Sequence, residues 1–510
     1  ESMIPKSPMF SYTMLYLAGI LSAKMFLLHT GYVVYPTIVF LVISSVLFLI
    51  NYRRHSYTVN TLMRFAIFMT FFLAGCWNIC QSPYSPRNLY SSIPNMNSKE
   101  MLDLEAHESA KINRKTTSLI VNCIRYNERI ILYTMQEGLL EKFKPGERFK
   151  AVIKPIPVSL SGEFGSYGNY LHSKRCFNYA FVTEDDIMES TDPPNFLKIT
   201  IFEISNLLFE EIRERSKEAE WGEIFIAIIT GRKEELDRET SLAFKNAGAL
   251  HIMAVSGLHV SLIYILIVNV LLVFGNKLSM KITKAATTML LVWLYCALSG
   301  FSSSSVRASI MISIMVVSGF TSGRYMTLNS LSVAALIITL YNPATLFSVG
   351  FQLSFTAMLS ILFIAPYFDS LFNTKNRIIQ YFYKIVTISL SCQLGTSLIA
   401  IPAFGEVSLY FLISNLVLMP LTAVVIFTAG LIAVTGFSSF SVNLGMYIIE
   451  KAVTTMHLTV SHIESLPYAT VAVNSKNTQG FAVLAAIIML ISYTVYKGGL
   501  GGLESESRSD

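Results

Sequence analysis

The residues best placed for chemistry lie in the stretch His251-Ile252-Met253-Ala254-Val255-Ser256-Gly257-Leu258-His259. A serine, a glycine and two histidines inside an apolar run are costly in hydrocarbon unless they face protein or water. If the stretch is helical, Ser256 and His259 are three residues apart and share a face. A hydrolase would use Ser256 as nucleophile and His259 as its base, although no orienting carboxylate is evident nearby. Close helix packing through Gly257, with the histidines hydrogen-bonded, requires no chemistry. The preferred functional reading is the polar lining of a path.

Other polar groups in apolar surroundings are few: Arg307, Gln352, Gln393, Glu406 and Asn415. Arg307 follows Gly300-Phe301-Ser302-Ser303-Ser304-Ser305. Such a run could offer free backbone N–H groups beside a positive charge, which suits a passing phosphate. A guanidinium snorkelling from a helix end is the competing reading. Glu406 fits either a salt-bridge partner or a proton-handling group.

The elements that must position these groups are membrane helices. Of 510 residues, 53% are apolar and 14% charged, against about a quarter charged in soluble proteins. Long apolar stretches flank one charged block near residues 81–250. Three spans are expected first, at 10–28, 32–50 and 62–80, each near the ~20 residues that cross a bilayer. The first is long for a signal peptide and lacks a small-residue cleavage site. Further helices are expected at 251–274, 285–298, 306–320, 328–341, 347–368, 378–402, 409–436 and 480–496, about ten or eleven in all. Pro420 is expected to break one, and Pro402 through Gly405 to separate two others; broken helices favour a conduit over a simple anchor. Arg53 and Arg54 follow the second span and Lys6 precedes the first, so the positive-inside rule puts the N-terminus in the cytoplasm and the block after Gln81 outside. Residues 195–220 and 446–463 are amphipathic, suited either to the interface plane or to packing on neighbours. The first residue is Glu rather than Met, and residues 497–510 read as a linker or tag remnant.

In the charged block, residues 116–124, 129–135 and 147–153 are β-branched runs bounded by turn signals. A small antiparallel β-barrel over 100–195 is expected, because closure removes sheet edges. Between Lys111 and Ala180, twelve basic residues stand against five acidic ones. The basic set includes Arg114, Lys115, Arg125, Arg129, Lys142, Lys144, Arg148, Lys150 and Lys154, and Tyr126, Tyr133, Phe143, Phe149, Phe164, Tyr167 and Tyr170 are mixed in. Basic grooves with stacking aromatics bind single-stranded nucleic acid; a basic face attracting anionic headgroups is the alternative. Acidic residues Glu184, Asp185, Asp186, Glu189 and Asp192 follow and cancel part of the field. Cys123 and Cys176 are the cysteines of this block, and an outside location permits a disulfide between them. The other four, Cys76, Cys80, Cys296 and Cys392, fall in expected spans and read as packing residues.

Several signatures are missing. There is no G-x-x-x-x-G-K-[ST] loop, so the chain is not expected to hydrolyse nucleotide. There is no H-E-x-x-H and no Cys/His cluster at zinc spacing, so no cofactor is expected.

At this point the ordered motifs resemble those of ComEC-type competence proteins. Residues 231–266 (GRKEELDRETSLAFKNAGALHIMAVSGLHVSLIYIL) resemble that family's signature block. Residues 298–309 (LSGFSSSSVRAS), Asn342-Pro343-Ala344 leading into 349–355 (VGFQLSF), 402–408 (PAFGEVS), Asn415-Leu416 and Met419-Pro420-Leu421 follow in order. Gly162-Glu163-Phe164 with Tyr167, Tyr170 and Leu171 resembles a segment of the family's oligonucleotide-binding-type (OB-like) barrel. The resemblance implies a polytopic helical channel in the bacterial plasma membrane, passing one DNA strand inward during natural transformation, with an OB-like barrel meeting DNA outside. The implied organisation is a three-helix segment over 1–80, the barrel over 100–195, a connecting helix over 196–222 and the channel over 223–496. The implied lining is His251, Ser256 with Gly257, His259, Arg307, Gln352, Glu406 and Asn415. The implied partners are single-stranded DNA, membrane lipids, and competence machinery: a DNA receptor, a pilus, a cytoplasmic helicase or motor, and single-strand-binding proteins. Many family members carry a C-terminal metallo-β-lactamase-like domain; no H-x-H-x-D motif occurs here, so no nuclease activity is expected of these residues. Two other classes stay open: a membrane enzyme built on Ser256 and His259, and a small-ion transporter using Glu406 and Arg307.

Overall fold

A computed structural model describes residues 8–26, 30–54, 57–81, 99–113, 116–126, 128–158, 171, 176–189, 193, 195–216, 220–232, 236–272, 278–319, 327–372, 374–435 and 439–473. In chain order the elements are α1 (Pro8–Met25), α2 (Thr30–Arg54), α3 (Tyr57–Gln81), then strands β1 (Glu100–Ala106), β2 (Lys111–Asn113), β3 (Thr116–Cys123), β4 (Glu128–Thr134), β5 (Arg148–Ile153), β6 (Ile156–Pro157), β7 (Cys176–Phe181) and β8 (Ile187–Glu189). Then come α4 (Phe196–Ser216), α5 (Glu220–Thr230), α6 (Arg238–Asn246), α7 (Gly257–Leu271), α8 (Leu278–Leu298), α9 (Ser303–Ser318) and α10 (Thr327–Tyr341). The chain continues through α11 (Val349–Phe363), α12 (Ala365–Leu371), α13 (Arg377–Phe404), β9 (Glu406–Ser408), α14 (Phe411–Val434), α15 (Ser439–Glu464) and β10 (Thr470–Ala472).

Among the described residues, six segments are long and apolar enough to cross a membrane: Val33–Asn51, Tyr57–Gln81, Met280–Leu298, Val349–Leu371, Arg377–Phe404 and Phe411–Val434. Gly257–Leu271, Ser303–Ser318 and Leu328–Tyr341 are shorter apolar helices. The chain is thus a polytopic helical membrane protein. The span expected at 480–496 and the tail after it lie outside the described residues. Two compact units divide the chain: residues 3–202 with 326–348, and residues 1–2, 203–325 and 349–510.

In the first unit, the three opening helices follow the expected spans. α1 and α3 cross at paired glycines. A Cβ on Gly19 would run into the Phe72 carbonyl oxygen, and one on Gly75 into that of Tyr16. Tyr16, Ile20, Cys76, Ile79 and Cys80 bury around this crossing. Asn78 Nδ2 donates to the carbonyls of Thr339 (3.0 Å) and Leu340 (3.2 Å), tying α3 to the end of α10.

The strands form one sheet in the order β6-β7-β4-β3-β1-β5-β8, with β2 on β3. Every pairing is antiparallel except β4 with β7. The structure therefore shows a mixed sheet where an all-antiparallel barrel was expected. The connection from Thr134 to Cys176 is long enough for a crossover, which a parallel pair needs. β1 escaped the sequence reading because Glu100, Asp103 and Glu105 dilute its apolar alternation. Leu102, Leu104, Leu119, Val121, Ile130, Leu132, Phe149 and Ile153 form the main core, which also takes Cys123. Ile120, Ile131, Val158 and Leu171 form a separate cluster with Cys176. The disulfide allowed by the sequence is not formed: both cysteines are free thiols, buried in different clusters. Burial pushes the Cys123 thiol up from its ordinary pKa, so it is a packing group and not a reactive one.

In the second unit, α5, α6, α7, α14 and α15 pack around Phe225, Ile228, Phe244, Met253, Leu418, Val425 and Val453. The amphipathic row of residues 446–463 resolves as packing: Ile449, Val453, Met456, Val460 and Ile463 all bury in this core. Pro420 lies inside an unbroken α14. The missing Pro N–H leaves one carbonyl a turn earlier without its helical donor, which transmembrane helices tolerate. The break after Pro402 is real. Gly405 adopts φ 71 as the left-handed cap of α13, where a Cβ would be strained.

Candidate functional site

The expected helix over 251–274 is broken. Residues Leu250–Ile252 form one 3-10 turn, and α7 begins only at Gly257, with Ser256 as its N-cap. Serine suits this position because its side chain can serve donors that the first turn leaves open. His259 is the third residue of α7 and folds back on the cap: Nδ1 accepts the Ser256 backbone N–H at 3.4 Å and lies 2.9 Å from Ser256 Oγ. With Nδ1 accepting, the ring proton belongs on Nε2. That atom is buried and without a partner among the described residues.

The start of α9 is set by a tight reversal. Gly300 (φ 69) and Phe301 (φ 51) are both left-handed, a conformation unusual for a bulky side chain. Ser302 then caps α9, accepting the Ser305 N–H at 3.2 Å and donating to the Val255 carbonyl at 3.3 Å. Ser299 Oγ donates to Ser305 Oγ at 3.2 Å, and Ser302 Oγ lies 2.9 Å from the same oxygen. The serine run is thus a capping and cross-linking device. Arg307, one turn into α9, is 5% exposed. Its Nη2 donates to Ser304 Oγ at 3.3 Å, and its guanidinium carbon stands 5.8 Å from the Phe355 ring centroid. Nε and Nη1 have no partner among the described residues. Phe355 stacks on Phe351 at 4.2 Å. At the start of α11, a Cβ on Gly350 would sit 3.4 Å from Ser303 Oγ. The first turns of α7, α9 and α11 therefore adjoin through Val255–Ser302 and Ser303–Gly350.

The remaining residues of the expected lining are dispersed. His251 sits in the 3-10 turn and is exposed. Gly257 makes only an ordinary contact, 3.9 Å from its ideal Cβ to Ala308, so tight packing does not explain it. Gln352 lies on α11, directly after Phe351 in sequence. Glu406 is on β9 and pairs with Lys245 of α6, not with Arg307. Asn415 is buried in α14 with Oδ1 unpartnered among the described residues. Sequence reasoning missed Phe355 and Lys245. A phenylalanine in an apolar helix and a lysine in a polar one carry no periodic signal that marks them.

The sheet revises the basic surface. Lys150 pairs with Asp103 (3.7 Å), Arg148 with Glu105 (3.6 Å) and Arg125 with Glu100 (2.9 Å). These carboxylates lie on β1, before the window in which the positive excess appears. Over 100–195 the balance is twelve basic to fourteen acidic residues. Arg129 Nε donates to Asn122 Oδ1 at 3.2 Å. Lys142 stands 5.3 Å from the Phe143 ring centroid, the Lys144 backbone N–H is held by Glu147, and Lys154 is exposed. Arg114, Lys115, Phe164, Tyr167 and Tyr170 lie outside the described residues. Phe149 is buried and stacked on Phe143 at 4.1 Å, so these two are core aromatics. A different aromatic group forms on β4 and β7. Tyr133, Tyr179 and Phe181 have mutual centroid distances of 5.9–6.3 Å, and Phe181 is 58% exposed. Tyr179 and Phe181 were not singled out in the sequence, because they lie beyond the three β-branched runs read as strands.

Comparison with known proteins bears on the region that holds the helix starts. A family model described as Competence protein matches residues 228–498. ComE operon protein 3 of Bacillus subtilis (strain 168) is 24% identical over 269 residues, covering 52% of this chain and 32% of that protein. An uncharacterized protein of Aquifex aeolicus (strain VF5) is 25% identical over 313 residues, 58% of this chain and 71% of that one. The chain thus spans about a third of the Bacillus relative. No solved structure matches.

Proposed function

The chain belongs to the Competence protein family, and from that premise we propose that it is a plasma-membrane conduit passing a single strand of DNA inward during natural transformation. The observation that carries this reading is the meeting of broken helix starts inside the family-matched region, with buried polar groups left unpartnered there: Arg307 Nε and Nη1, and His259 Nε2. Desolvated donors without partners are costly in an anchor. A polar substrate moving past them offsets that cost.

The sheet domain meets the strand first, on the outer side, with the N-terminus in the cytoplasm; the arginines after α2 support this orientation. Support for a closed, OB-like barrel comes from the strand order. β5 and β6 are separated only by Lys154 and Pro155, yet β6 ends one side of the order and β5 stands next to last on the other. A strand pair so placed curls the sheet round on itself. Tyr133, Tyr179 and Phe181 offer a platform on which bases of any sequence stack, with Lys142 and Lys154 available to phosphates. Partners supply delivery to the outer face and the pulling force. Uptake by a null strain complemented with the full chain tests the reading. DNA should regain a nuclease-protected, single-stranded state inside the cell; complementation that restores growth and membrane insertion but no internal DNA overturns it.

The 2.9 Å approach of Ser256 to His259 is the one observation that favours an enzyme. Among the described residues no third group orients His259 as a catalytic base, and helix capping accounts for the approach.

A further inference from the structure

Three helix starts meet in the second unit, and the side chain lying over that junction is an arginine with donors unused. We propose that this junction is a phosphodiester-binding station, holding one anionic phosphate between Arg307 and the first-turn N–H groups of Ser303 and Ser304 in α9. The proposal rests on the conduit reading and names the part of the strand that is gripped.

The first N–H groups of a helix have no intrahelical acceptor, and the helix dipole makes that end positive. In α9 the Ser302 side chain takes up the Ser305 N–H, while those of Ser303 and Ser304 precede the first intrahelical bond, Val306 to Ser302. Ser303 also adjoins Gly350, the second residue of α11: its Oγ stands 3.4 Å from the position a Gly350 Cβ would take. Anions bind at such ends, but helix starts alone would not make a site.

Arg307 is the independent observation. Helical side chains lean toward the N-terminus, and the contact of Nη2 with Ser304 places the guanidinium over the first turn of α9. The residue is 5% exposed. Nε and Nη1 carry three N–H hydrogens, none matched among the described residues. The Phe355 face supports the cation from one side. Arginine matches phosphate oxygens in geometry as well as charge. None of these groups reads a base, so the grip is independent of sequence, as a conduit for any strand requires.

A lipid headgroup offers the same phosphodiester chemistry, so the test separates the two sources. The full chain is purified in a phosphorus-free maltoside detergent. The probes are a fluorescent abasic deoxyribose-phosphate oligomer, its uncharged methylphosphonate counterpart, and short-chain phosphatidylglycerol. The wild type should bind the phosphodiester oligomer and not the methylphosphonate. Arg307→Gln should weaken that binding about tenfold or more, the size of a lost charged hydrogen-bond set. The loss should persist in a Lys142→Ala/Lys154→Ala background, which removes the sheet's contribution. Arg307→Lys keeps the charge without the planar fork and should fall between; it carries the comparison if the Gln variant does not fold. Equal oligomer binding by wild type and both variants, with ordinary single-stranded DNA still bound, overturns the station and leaves the conduit reading intact. An Arg307-dependent response to phosphatidylglycerol alone overturns the strand grip in favour of a lipid site. Failure of the wild type to bind any single-stranded DNA removes the conduit reading, and the station with it.

Discussion

Ser256 Oγ lies 2.9 Å from His259 Nδ1 because Ser256 caps the helix on which His259 is the third residue. A cap and a catalytic dyad share this distance, and chemistry separates them. As a cap, Ser256→Ala should cost about 1 kcal/mol of stability, read as a lowered melting temperature of the purified chain. A serine-directed fluorophosphonate should leave the wild type unlabelled. Labelling that disappears in Ser256→Ala would establish the enzyme reading instead.

Gly19 and Gly75 let the backbones of α1 and α3 touch. Any Cβ there meets a carbonyl oxygen and not a flexible side-chain tip. Gly75→Val should therefore separate the helices and cost about 1–3 kcal/mol or more. Faster proteolysis of the α1–α3 segment in membranes checks this, with Ala74→Val, beside it, as the comparison.

Tyr133 and Phe181 stand opposite each other in the parallel pair of β4 and β7. If bases stack there, Tyr133→Ala and Phe181→Ala should each weaken single-stranded DNA binding by about 1–3 kcal/mol, with little dependence on sequence. Lys142→Ala and Lys154→Ala should instead flatten the salt dependence, each reducing the slope by about 0.7. Fluorescence anisotropy across a salt series separates the two effects.

Lys245 and Glu406 join α6 to the β9–β10 ribbon. The pair is half-exposed, so its coupling should be about 0.2–1 kcal/mol. Lys245→Glu should lower stability, and adding Glu406→Lys should restore part of it. A double-mutant cycle with no coupling energy would remove this pair from the account of how the ribbon is held.

Asp186 provides a pH test of the sheet domain. Burial works against its ionisation, but hydrogen bonds from Lys99 and Thr183 outweigh that and hold the carboxyl below its ordinary range. A depressed folded pKa means the stabilisation is complete above the ordinary carboxyl range and is lost as pH falls through the folded value. Hydrogen-exchange protection of β5 and β8, corrected for intrinsic rates, should drop with acid in the wild type. The drop should be shallower in Asp186→Asn.

The sequence alone determined the membrane character, most helix positions and three of the strands, because apolar length and alternation are local properties. The starts of α7 and α9 show where locality ends. The residues His251 through His259 were visible as unusual, but a continuous helix was the natural reading of their apolar setting. Whether Ser256 would cap a helix or ride its face depended on where Val255 found a partner, and that partner, Ser302, is 47 residues away. Arg307 was likewise visible, while Phe355 became its neighbour only through packing of α11 against α9. In the sheet, counting charge along the chain suggested a basic groove from Lys111 onward. β1 lies earlier in sequence and pairs with β5, so its carboxylates neutralise Arg148 and Lys150 across the strands. Cys123 and Cys176 could have been bridged on sequence grounds, and strand placement put them in separate clusters. Composition and periodicity report on one segment at a time; which donors stay unpartnered and which charges cancel are pairwise facts, and only the tertiary structure decides pairs.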